Sequence, residues 1–154
     1  MQGSVQTVAL SALVVSPSEE AGLTLADAYW AEIRRRTGGL VRVRRRATGI
    51  ELRLARLTLF RFGGPRTVLA DGLVECSFPI TGGLLAKEQG GFLTFVQRSA
   101  PHPELEVSVR DYVPFFSSSR KRRSLRGFLY RVVQERAHAA ISHGYLARMA
   151  ARAR

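Results

Sequence analysis

The chain of 154 residues and 17.0 kDa has the length of one domain, and its 45% hydrophobic and 23% charged residues are those of a globular protein, not a disordered or fibrous one. A single cysteine, Cys76, excludes an internal disulfide framework and any multi-cysteine zinc site. The 24 basic residues outnumber the 12 acidic ones two to one, giving a formal charge of +12, and such an excess predicts attraction to polyanions such as nucleic acid or an anionic membrane.

The first element is a strand over Thr7 to Val15, rich in β-formers and stopped by Ser16-Pro17. The apolar run inside it has no Lys or Arg before it, unlike a secretory signal. No run of about 18 or more apolar residues follows anywhere, so no transmembrane helix is expected and the protein reads as cytoplasmic. Thr24 is a candidate N-cap for a helix whose apolar spacing is supplied by Leu25, Ala28, Tyr29 and Ala31 to Ile33. Gly38-Gly39 closes it, with Arg34, Arg35 and Arg36 in the last turn, where cations suit the helix dipole.

From Leu40 the period becomes two. Val41 and Val43 alternate with Arg42 and Arg44, and Ile50, Leu52 and Leu54 alternate with Glu51 and Arg53, marking antiparallel strands with one buried and one wet face. Leu57 to Phe62 is the next strand, closed by Gly63-Gly64-Pro65. Asp71-Gly72 is a two-residue hairpin turn between Val68-Leu69-Ala70 and Leu73 to Cys76. Phe92 to Gln97 and Leu105 to Val113 complete the strands. A long helix begins near Ser124 and runs to Met149 or beyond. Its apolar stripe is expected along Leu125, Leu129, Val132, Ala139 and Ala150, and Gly144 is a weak point costing about 1 kcal/mol relative to Ala.

The expected fold is α+β, a single domain over residues 1–154. It would be a curved antiparallel sheet of about seven strands, with an N-terminal helix and a long C-terminal helix packed on it. This order of elements resembles the helix-grip fold of the START-like, Bet v 1-like and polyketide-cyclase-like superfamily, with one well-marked helix after the first strand where most members have two. The resemblance implies an apolar cavity between the sheet and the last helix. The segment Phe78 to Ala86 also resembles a stretch of uncharacterised bacterial proteins, which implies no function.

Arg136 and His143 fall within about 20° of the expected stripe of the last helix. A polar group there points to a wet cavity or a partner carboxylate, so Arg136 and His143, with Tyr130 as a further neighbour, are candidates to hold the polar end of a small hydrophobic or lipid-like ligand. The bland alternative is that Arg136 snorkels past the sheet edge and His143 is a hydrogen-bonded core histidine. A second reading is a basic surface that binds nucleic acid or an anionic membrane. It would act through Arg120, Lys121, Arg122 and Arg123, which follow Phe115 and Phe116, and through Arg42, Arg44, Arg45 and Arg46. Solvated basic segments are its bland counterpart.

No metal site is expected, because His138 and His143 are one position too far apart to share a helical face. No cofactor fingerprint is present either: Thr81-Gly82-Gly83 and Gly90-Gly91 match neither phosphate-binding loop, and read as turns flanking a short segment, Leu84 to Ala86, that could cover a cavity mouth. Cys76 alternates with Val74 and Phe78 and reads as a small buried hydrophobe. No nucleophile, base and orienting group assemble from the sequence, so an enzyme of cyclase or hydratase type rests on fold analogy alone.

Overall fold

The computed structural model describes residues 4–11, 14–86, 90–112 and 125–153, with side chains over the same ranges except 4–8, 10, 111–112 and 125–135. The chain runs β1 (Ser4–Leu10), α1 (Ala21–Arg36), β2 (Val41–Arg46), β3 (Gly49–Leu54), β4 (Leu57–Gly63), β5 (Arg66–Ala70), β6 (Leu73–Gly82), β7 (Phe92–Arg98), β8 (Glu104–Tyr112) and α2 (Leu125–Arg152). Every pairing is antiparallel, in the order β1-β8-β7-β6-β4-β3-β2, so the first strand lies beside the last. β4 and β5 share one edge of the long β6 and are in effect one strand broken at Gly64-Pro65, because proline can neither donate to a ladder nor leave its neighbour free. An antiparallel sheet with an N-terminal and a C-terminal helix is the α+β class expected, and it is compatible with a helix-grip topology.

The period-two segments form strands because each has one face to bury. Val74, Cys76, Phe78 and Ile80 of β6 and Leu93 and Phe95 of β7 all point to the side covered by α1. α1 begins at Ala21, three positions before Thr24, whose hydroxyl bonds back to the Glu20 carbonyl inside the helix. The helix ends as expected. The amides of Thr37, Gly38 and Gly39 bond to the Ile33, Arg35 and Arg34 carbonyls, and both glycines have positive φ.

Trp30 is the centre of the core. Its ring lies 5.3 Å from Phe62, 5.4 Å from Phe78 and 6.5 Å from Phe95, mostly edge to face. Tyr29 joins Phe95 to Tyr145 of α2. β1 stops at Leu10, short of the expected Val15. Val14 and Val15 are held instead by the buried side chain of Gln97, whose Oε1 accepts from both amides and whose Nε2 donates to the Val15 carbonyl. Among the described residues no helix is long and apolar enough to cross a membrane.

Candidate functional site

The described half of α2 meets α1 and the sheet through Ser142, Tyr145, Leu146 and Met149, all buried, with His138 half-buried on the same face. Arg136 and His143 are exposed. The inward face is therefore turned roughly 120° from the stripe expected in the sequence, and neither residue points between helix and sheet. The side chain of Tyr130 and residues Arg120, Lys121, Arg122, Arg123, Phe115, Phe116 and Ser124 lie outside the described residues.

A polar cluster takes the place foreseen for Arg136 and His143. The Tyr29 hydroxyl lies 3.3 Å from His138 Nδ1. Burial pushes that hydroxyl up to about 12, opposed in part by the adjacent Ser142 hydroxyl. Burial also lowers the His138 pKa, which keeps the imidazole neutral near pH 7. Tyr145 donates its hydroxyl to the Leu25 carbonyl at 3.0 Å, tying the two helices together. His138 Nε2 and Ser142 Oγ are buried and have no hydrogen-bond partner among the described residues; nor does the Trp30 indole nitrogen, inside the aromatic cluster. His138 and Ser142 are one helical turn apart and so share a face, a spacing visible in the sequence. Their burial depends on Tyr29, far away in the chain, and no local pattern reports it.

One turn further along, an ion cluster joins the helices. The Glu32 carboxylate has no exposed side-chain surface and takes Arg35 at 2.7 Å, Arg36 at 2.9 Å and, from α2, Arg148 at 2.9 Å. Burial would raise its pKa, but hydrogen bonds from Arg35 and Arg36 and the charges of Arg35 and Arg148 outweigh that and hold it low. Gly144 packs directly on this cluster: a Cβ there would lie 2.6 Å from Glu32 Oε1. The residue expected to weaken α2 leaves room for the Glu32 and Arg36 side chains of α1.

The remaining candidates divide. Arg45 is paired with Asp27 at 2.7 Å and Arg46 with Glu51 at 3.3 Å. Arg42 and Arg44 are exposed and have no carboxylate partner among the described residues. Arg42 stands directly opposite Arg53 across the β2–β3 ladder, a like-charge pairing that destabilises a sheet in isolation. Cys76 is fully buried, and burial, with Asp27 and Glu75 adding to it, pushes its thiol up to about 12. It is therefore an inert core residue. Leu85 and Ala86 are buried while Leu84 is exposed. A shallow surface depression lined by Ala31, Arg34, Arg35 and Gly39 lies at the end of α1, outside the helix–sheet interior. Among the described residues no group of three or more His, Cys, Asp or Glu is arranged to hold a metal ion. No family model and no curated protein matches the chain.

Proposed function

We propose that the protein binds a small, mostly apolar molecule between α1, α2 and the sheet, and that His138, Ser142 and Tyr29 hold its polar end. One observation carries the reading: Ser142 Oγ and His138 Nε2 are buried one helical turn apart on the inward face of α2 and have no hydrogen-bond partner among the described residues. Each such group costs about 1–3 kcal/mol when left unsatisfied, and a bound hydroxyl or carbonyl would remove that cost. The helix-grip resemblance supports the same place, since that fold implies an apolar ligand beneath its last helix.

The chemistry favours a neutral group. Ser142 and a neutral His138 offer both a donor and an acceptor but no charge, and a buried carboxylate without a cation is strongly disfavoured. Arg136, the nearest candidate cation in the sequence reading, is exposed. An alcohol, ketone or amide on a hydrophobic body is the ligand class that fits.

Native mass spectrometry of the purified protein, followed by denaturing extraction, tests this. A neutral apolar molecule should be retained by the wild type and lost when His138→Phe and Ser142→Ala are combined. An empty protein, or a molecule retained equally by that variant, overturns the proposal.

A further inference from the structure

We propose that the open end of the β2–β3–β4 lobe docks on an anionic lipid bilayer, with four leucines entering the interface and arginines gripping the headgroups. The proposal stands on residues other than those of the α1–α2 polar cluster.

The lobe's end gathers leucines that no core covers. Leu40 is 70% exposed, Leu57 53%, Leu84 48% and Leu54 38%. Strand register brings them together. Leu54 faces Leu57 across the tight Ala55-Arg56 turn, and Val41 faces Leu54, which sets Leu40 beside that same turn. The Leu84 amide donates to the Thr58 carbonyl at 2.9 Å, placing Leu84 next to the start of β4. The turn itself is forced, because Ala55 takes φ +52°, a left-handed conformation that a residue with a Cβ rarely adopts. Scattered exposed leucines need no explanation; four at one tip of a three-stranded lobe do.

Arginines flank the tip on both sides. Arg42 and Arg53 stand opposite each other on the outer face, and Arg56 lies in the turn. On the other side α1 ends in Arg34, Arg35 and Arg36 and leads through Gly38-Gly39 directly into Leu40. Arg34, Arg42 and Arg56 have no carboxylate partner among the described residues. Arg53 spends one nitrogen on the Arg56 carbonyl, and its buried Nε has no partner among the described residues. Apolar side chains surrounded by unpaired cations match the boundary between acyl chains and anionic headgroups. A nucleic acid would use the arginines but give the leucines nothing, since single strands are held by aromatic stacking and the tip has no aromatic side chain among the described residues. A second copy of this tip would be repelled by the same charge.

Co-sedimentation with phosphatidylglycerol-containing vesicles, against pure phosphatidylcholine vesicles, tests the proposal. Binding is expected only to the anionic vesicles and should weaken as salt rises. Replacing Leu40→Ser, Leu57→Ser and Leu84→Ser together should weaken it at least tenfold. Arg42→Gln with Arg56→Gln should weaken it about twenty-fivefold, at about fivefold for each cation. A polarity-sensitive dye on Leu57→Cys gives an independent readout, because buried Cys76 will not compete for the label; its emission should shift to the blue on vesicle binding. The proposal fails if anionic vesicles are not bound, if the leucine changes leave binding intact, or if the dye stays in water. It fails too if binding is abolished only by Arg122→Glu with Arg123→Glu, or if a labelled oligonucleotide binds through the arginines regardless of the leucines.

Discussion

Glu32 shows how one side chain organises this protein. It sits in the middle of α1 with three arginines following closely, and those arginines first read as partners of the helix dipole. Two of them turn back onto Glu32 instead, and Arg148 reaches it from α2. Removing one member of a buried ion pair costs about 3–5 kcal/mol, but these arginines are about half exposed and can rehydrate. Glu32→Gln should therefore cost about 1–3 kcal/mol, read as a lower urea midpoint. The cluster also sets a pH dependence. The Glu32 carboxyl is held below its ordinary 4.5 in the fold, as is Glu106 between Arg98 and Arg110. Their stabilisation is complete above that value and is lost as pH falls through the depressed folded values. His138 acts earlier. Burial lowers its pKa from 6.5, so stability declines as pH drops below 6.5 toward the folded value, while only the unfolded chain takes up the proton. A urea midpoint followed against pH should show two falls. His138→Gln should remove the first, and Glu32→Gln should shrink the second without abolishing it, because Glu106 remains.

Between elements, the contacts depend on close approach. Gly22, in the first turn of α1, lies against β6 where an added Cβ would come within 2.9 Å of Cys76 Cβ and 3.2 Å of the Glu75 carbonyl. Neither atom can swing aside. Gly22→Ala should gain about 1 kcal/mol in helix propensity yet lose about 1–3 kcal/mol to overpacking; a raised urea midpoint would mean that α1 can slide on the sheet. The strands were readable in advance because their burial is decided locally: a period of two with Val41, Val43, Ile50 and Leu52 on one side leaves one solution. Turn chemistry at Asp71-Gly72 and Gly38-Gly39 was equally local. The face of α2 was not readable in this way. The sequence places its stripe along Leu125, Leu129, Val132, Ala139 and Ala150, but the described half buries Tyr145, with His138 and Ser142 beside it, since Leu25 and Tyr29 on α1 offer Tyr145 a carbonyl and His138 a hydroxyl partner. A polar residue is buried where a distant partner waits for it, and helical periodicity carries no record of that partner. Deeper in the core Trp30 packs on Phe62, Phe78 and Phe95.

At the scale of the whole molecule, charge and packing oppose each other. A formal charge of +12 makes every added arginine neighbour unfavourable, and the ion pairs with both partners substantially exposed, Arg45–Asp27 and Arg98–Glu104, are each worth only about 0.2–1 kcal/mol. The Arg42–Arg53 juxtaposition adds a direct repulsion within the sheet. Salt weakens both the pairs and the repulsion, and the sign of its effect shows which dominates. The described ion pairs draw on few carboxylates, with Glu32, Glu51 and Glu106 each shared by more than one arginine, so much of the positive charge has no counter-charge. Repulsion should win. Raising ionic strength from about 0.01 M to about 0.1 M, which shortens the screening length from about 30 Å to about 10 Å, should raise the melting midpoint. A gain of about 1 kcal/mol corresponds to about 2–4 °C for a chain of this size. Arg42→Gln should mimic part of that rise at low salt and reduce the further rise on adding it. A midpoint that falls with salt would place the balance in the ion pairs, with the Glu32 cluster as the first place to look.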